Sequence, residues 1–216
     1  MLARLDHLVV TTPALDKGVA LVETTLGQPM DGGGDHVAMG THNRLLSLGP
    51  EEYLEVIAVN PVATAPGRPR FFDLDTPRSE ARLTNWVLRV PNLGSALAVA
   101  PPGMGQGTAL SRGAYSWRMA VPPDGKLPFD GLFPSLIQWD GAHPGPDIPE
   151  AGLRLLSLTL HHPDALALAK ALAPFLTDPT LRDRVRVVEG PLSMTARIDT
   201  PDGGRDLCRA AAQMDL

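Results

Sequence analysis

Hydrophobic and polar positions change period along this chain, and the change recurs. Leu5-Asp6-His7-Leu8-Val9-Val10 reads as a β-branched strand ended by Thr11-Thr12-Pro13. Helical spacing follows from Leu15 to Leu26, where Gly27 stops it. Short strands are predicted near residues 28–30, 36–40 and 44–48. The Gly49-Pro50 turn then leads into a strand from Tyr53 to Val59, ended by Asn60-Pro61. The same order returns at Leu83-Thr84-Asn85-Trp86-Val87-Leu88-Arg89-Val90-Pro91, with a helix to about residue 98 and strands near 108–111, 115–121 and 135–139. It starts a third time at Leu153, with a helix from Ala165 to about Ala173, where Pro174 ends it, and strands near 184–188 and 193–200. This last copy is one strand short on the pattern.

Recurrence at similar spacing predicts repeated βαβββ units. Residues 1–62 form the first unit, 63–82 a Pro- and Arg-rich connector, 83–150 the second unit, and 151–216 a partial third unit packed on the same domain. Alternation within the strands, rather than solid apolar runs, predicts a mainly antiparallel sheet and an α+β fold. An α+β sandwich without repeats is the plainer alternative.

Composition narrows the function. The 216 residues are 44% hydrophobic and 20% charged, enough to bury a core, and the net charge is -5. No Lys/Arg block suggests a nucleic-acid footprint, and no apolar run is long enough to span a bilayer. The first residues run straight into a strand, so no leader peptide is expected. The single cysteine, Cys208, excludes an internal disulfide, fits a cytoplasmic setting, and reads as a structural or surface thiol.

Three stretches carry a resemblance: Leu5-Asp6-His7-Leu8-Val9-Val10, then Gly40-Thr41-His42-Asn43-Arg44-Leu45-Leu46-Ser47-Leu48-Gly49, then Tyr53-Leu54-Glu55-Val56-Ile57-Ala58. Together with Arg70-Phe71-Phe72-Asp73-Leu74-Asp75 and the strands of Trp86 and Trp117, they resemble the glyoxalase-like branch of the vicinal-oxygen-chelate superfamily. The resemblance implies paired units whose sheets curve around one pocket, with His7 and Glu55 at the family's metal positions. An imidazole with a carboxylate suits one divalent ion (Zn²⁺, Mn²⁺, Ni²⁺ or Fe²⁺) that polarises a substrate oxygen. Aligning the units sets Asn85 opposite His7 and Gln138 opposite Glu55; Gln138 is an admissible third ligand, and Asn85 a weak one. The third copy offers Ser157 and Ala196 and no metal site.

His36, after Gly32-Gly33-Gly34-Asp35, could complete a ligand set, the glycines being a hairpin over the pocket mouth. Asn43 faces the pocket by alternation. Arg70 either binds a substrate anion or locks the connector onto Asp73 or Asp75. Trp86, Trp117 and Phe72 line an apolar cavity or belong to the core. His161-His162 ends a strand with rings on opposite faces, and His143 reads as an exposed turn. The expectation is a small-molecule, enzyme-like protein acting on an oxygenated substrate, with Glu55 or His7 moving a proton; a homodimer is compatible with it. Isomerase, lyase and dioxygenase chemistry all occur in the superfamily, and a metal-free binder resembling bleomycin-resistance proteins is the alternative.

Overall fold

The computed structural model describes residues 2–209. Strand β1 (Arg4–Thr11) runs into helix α1 (Leu15–Leu26), followed by β2 (Asp31–His36), β3 (Thr41–Ser47) and β4 (Tyr53–Val59). After the connector come β5 (Arg82–Arg89), α2 (Leu93–Leu97), β6 (Gln106–Arg112), β7 (Tyr115–Val121) and β8 (Ser135–Trp139). These eight strands form one sheet in the order β2-β3-β4-β1-β5-β8-β7-β6. Within each unit the first and last strands pair in parallel, and the units join through an antiparallel β1–β5 pair. The sheet curls until its edge strands β2 and β6 touch, making a half-barrel. It is an α+β fold of βαβββ repeats around a pocket.

Local chemistry explains the helix positions. Thr12 donates its hydroxyl to Ala14 O at 2.7 Å, and Gly27, at φ 69°, closes α1 through its N–H to Glu23 O. Gly18, Val22 and Leu26 form the buried stripe of α1. A Cβ at Gly18 would lie 2.5 Å from Val56 Cγ1 and 2.7 Å from Thr12 Cγ2, so the helix sits on β4 at a distance only glycine permits.

The glycine run forms one arm of a hairpin, as a strand in its own right rather than a connection between strands near residues 28–30 and 36–40. Gly32-Gly33-Gly34 belongs to β2 and forms a bulge against β3, and a Cβ at Gly33 would lie 2.2 Å from Asn43 O. Without side chains to alternate, such a strand leaves no period to read.

The third segment also differs from expectation. It contains β9 (Arg154–His162), α3 (Ala165–Leu172), α4 (Pro179–Arg182), β10 (Val185–Glu189), β11 (Ser193–Asp199) and β12 (Arg205–Arg209). It is not short of a strand, because β12 supplies the fourth. Its order, β10-β9-β11-β12, is not that of the first two units. Helices α3 and α4 instead cross over to place β10 parallel to β9. Similar strand–Pro–helix openings therefore led to two different topologies. Phe175 stacks edge-on against Phe133 at 5.6 Å, and Arg184 grips Glu52 with two N–H donors, at 2.8 and 2.5 Å. One cluster of buried apolar side chains runs from Leu8 through Phe133 to Phe175 and Leu207. No helix among the described residues is long and apolar enough to cross a membrane.

Replacing Gly18 by Ala tests the helix contact. Alanine favours a helix interior by about 1 kcal/mol over glycine. Overpacking against Val56 and Thr12 outweighs this, with an expected net loss of about 1–2 kcal/mol in a denaturant titration. A stabilised variant contradicts the close approach.

Candidate functional site

The site begins with an irregularity in β1. Leu5 pairs with Leu88 and His7 with Val87, so β1 carries one extra residue, Asp6, as a bulge. Bulges re-aim side chains, and here Asp6 and His7 are both buried and bonded to each other. Strand β5 carries the matching bulge at Thr84, because Val9 pairs with Asn85 and Val10 with Leu83. Leu5-Asp6-His7-Leu8 and Leu83-Thr84-Asn85-Trp86 thus hold equivalent places about a pseudo-twofold axis.

Asp6 has no exposure to solvent, and three N–H groups meet its carboxylate. His7 Nδ1 lies 2.6 Å from Oδ1, while Trp139 Nε1 at 2.8 Å and His143 Nε2 at 3.1 Å meet Oδ2. Since His143 Nδ1 accepts the Gly145 N–H at 3.1 Å, its Nε2–H is the donor to Asp6. Burial opposes the ionised carboxylate, but the His143 and His7 contacts outweigh it and hold Asp6 well below the usual carboxylate range.

His7 lies between two acids. Its Nε2 is 3.5 Å from Glu55 Oε2, and its ring stacks on Tyr53 at 4.6 Å. Burial pushes the imidazolium pKa down, but Asp6 and Glu55 more than reverse this and raise it to about 9. For Glu55, burial favours the neutral acid, and the His7, His36 and Asn43 interactions lower it to about 2. Asn43 donates Nδ2–H to Glu55 Oε1 at 2.5 Å, while its Oδ1 accepts from Gly34 N–H and from Arg112. Burial lowers His36 to about 4, keeping it neutral, with Nδ1 3.1 Å from Thr41 Oγ1 and edge-on rings of Phe71 and Trp117 beside it. At neutral pH the site therefore holds an imidazolium between two carboxylates.

Several other side chains named from sequence lie elsewhere. By strand register, the neighbour of Val87 that matches Glu55 beside Val9 is Ser135, not Gln138. Gln138 points away from Ile137 and Trp139, which line the His7 chamber, and its Oε1 accepts Leu93 N–H at 2.8 Å. Asn85 donates to Gly131 O at 3.2 Å and lines a separate cavity of about 270 Å³ that shares Phe72 with the chamber. Trp86 is core, donating to Leu132 O at 2.8 Å, whereas Trp117 lines the chamber. Arg70 locks the connector, bonding Asp75 at 2.5 Å and Met39 O at 3.0 Å. His143 is a nearly buried member of the site, not an exposed turn.

Sequence reading missed Asp6, Tyr53, Arg112 and Trp139. Asp6, next to His7 in an apolar strand, carried the same signal of a buried charge needing a partner as Glu55. Arg112 shares the strand parity of buried Leu110. Nothing local tied Trp139 or His143 to β1.

The residues do not fit a resident metal ion. His7 and Glu55 face each other and could share one, but among the described residues no three His, Cys, Asp or Glu side chains are grouped to hold an ion. Asn85 and Gln138 are turned away, so the ligand set falls short of three strong donors. The chamber itself is small, about 20 Å³, or room for one water.

The titrations set a pH dependence of stability. The His7 pKa is raised from 6.5 to about 9, so its contribution is complete below pH 6.5 and lost as pH rises towards 9. The His36 pKa is depressed to about 4, so its contribution is complete above pH 6.5 and declines as pH falls towards 4. Stability from these two residues is therefore greatest near pH 6.5. Between pH 6.5 and 9, unfolding free energy is expected to fall by on the order of 1 kcal/mol per pH unit. His7→Gln should flatten that limb in urea titrations; an unchanged slope in the variant contradicts the assignment.

Comparison with known proteins agrees with this architecture. A family model described as a glyoxalase-like domain matches residues 5–176. No curated protein matches the chain. A solved hypothetical protein from Staphylococcus aureus covers 95% of this chain, and 85% of its own length is covered, at 13% identity and a TM-score of 0.59, which shows the shared fold. Methylmalonyl-CoA epimerase from Mycobacterium tuberculosis aligns over 62% of this chain and 86% of its own, at 17% identity and a TM-score of 0.41. With the family model spanning both βαβββ units, this chain belongs to the glyoxalase-like domain family.

Proposed function

We propose that this chain is a small-molecule enzyme that moves a proton at a carbon next to a carbonyl, using Glu55 as base and His7 as acid, without a resident metal. The carrying observation is the buried Asp6–His7–Glu55 array, in which neighbouring groups are driven to opposite protonation states. Separation of titratable groups in this way is how enzymes assign acid and base roles. Glu55 takes the proton, the C–H electron pair becomes a C=C bond, and the carbonyl oxygen receives a hydrogen bond or proton from His7 Nε2. Asp6 fixes the ring and steadies its charge from the other side.

Ionised Glu55 paired with His7 is a weak base. A ligand entering between Nε2 and Oε2 separates the pair, which raises the Glu55 pKa as the reacting atoms arrive. Asn43 holds the other carboxylate oxygen in place. The chamber must widen for this, and Phe71 and Phe72 of the connector form one of its walls.

A second reading, a metal-free binder, is favoured by the aromatic wall of Phe71, Phe72, Trp117 and Trp139. In both readings the partner is a small molecule.

The distinguishing experiment follows exchange of α-protons with solvent deuterium by NMR across 2-oxo acids, hydroxyketones and dicarbonyls. Wild-type protein is expected to exchange at least one class, with or without EDTA, and Glu55→Gln to slow it by about 100-fold or more. Absence of exchange across the panel, or exchange indifferent to Glu55→Gln, rejects the proton-transfer reading.

A further inference from the structure

Arg112 stands between two spaces. It lines the chamber of His7 and Glu55, and also an open vestibule of about 460 Å³ between β2 and β6. The side chain is half-buried, with its guanidinium 5.8 Å from the centre of the Tyr115 ring. Its one side-chain hydrogen bond among the described residues goes to a neutral acceptor, Asn43 Oδ1, at 3.1 Å. It forms no ion pair among the described residues.

Carboxylates are near but engaged elsewhere. Asp31 accepts Gly32 N–H at 2.6 Å, Asp35 accepts Asn60 Nδ2–H at 3.1 Å, and Asp147 accepts the Tyr115 hydroxyl at 2.6 Å. A partly desolvated guanidinium with donors to spare is matched by a planar carboxylate, which accepts two N–H bonds at once. The Asn43 amide that bonds Arg112 also bonds Glu55, so an anion on Arg112 lies one amide away from the base. Asp31, Asp35 and Asp147 around the vestibule oppose any second negative charge.

We propose that Arg112 anchors the carboxylate of the substrate, and that the substrates are small 2-oxo or 2-hydroxy monocarboxylic acids. The anchor stands on Arg112 alone; placing the oxygenated carbon at His7 and Glu55 rests on the proton-transfer reading above. Phosphate and other multiply charged anions are selected against.

Ligand-observed NMR titrations with 2-oxobutanoate, methyl 2-oxobutanoate and inorganic phosphate provide the test. Wild-type protein should bind the acid saturably, and the ester and phosphate at least tenfold more weakly. Arg112→Gln should weaken acid binding by about tenfold or more while leaving ester binding unchanged, with Arg112→Lys in between. Acid binding with no deuterium exchange anywhere in the panel would uphold the anchor and reject the proton-transfer reading, so the two fail separately. Equal binding of acid and ester by the wild type overturns the proposal without recourse to a variant. Unchanged acid affinity in Arg112→Gln, or no binding of 2-oxobutanoate, overturns it as well.

Discussion

A carboxylate sealed from water needs its full complement of donors, and Asp6 draws them from three parts of the chain. His7 is its neighbour on β1, Trp139 closes β8, and His143 lies in the following loop. Losing one such partner from a buried charge costs about 3–5 kcal/mol, so these contacts tie the second unit to the first strand. The same carboxylate makes His7 a cation, and the cation in turn keeps Glu55 ionised inside the fold. Asp6 is thus both a clasp between units and the source of the polarity at the site.

The pseudo-twofold axis sharpens what is unusual about that polarity. Both units place a bulge at the same point of the first strand, but one bulge presents Asp6-His7 and the other Thr84-Asn85. The place of Glu55 is taken by Ser135. Chemistry has collected in one half of the half-barrel, while Trp117, Met119, Ile137 and Trp139 of the other half supply an apolar wall. Such a division suits a ligand with one polar end, held between fixed charges and aromatic surfaces.

How much of this was legible in the sequence followed the range of the interactions. The βαβββ units and α1 were readable, because strand alternation, Pro breaks and the Gly27 stop are local signals. That the side chains of His7, Glu55 and Asn43 turn towards one another was readable from strand parity. The match of Glu55 to Gln138 failed because a sequence alignment does not see the length of the loop before β8, whereas the pairing with β5 fixes the register. Arg112, Trp139 and His143 reach the site only through sheet curvature and a distant carboxylate. The glycine strand β2 and the strand order of the third segment likewise depend on pairing rather than on pattern.

The protonation state of His7 carries the account, since the roles of Asp6 and Glu55 both rest on it. Ring-nitrogen chemical shifts from ¹⁵N-labelled histidine, assigned with the His7→Gln variant and followed from pH 5 to 10, measure it directly. The expected result is a doubly protonated His7 ring through pH 8, releasing its proton near pH 9. A neutral His7 ring at pH 7 would contradict the imidazolium between two carboxylates and the acid–base roles built on it.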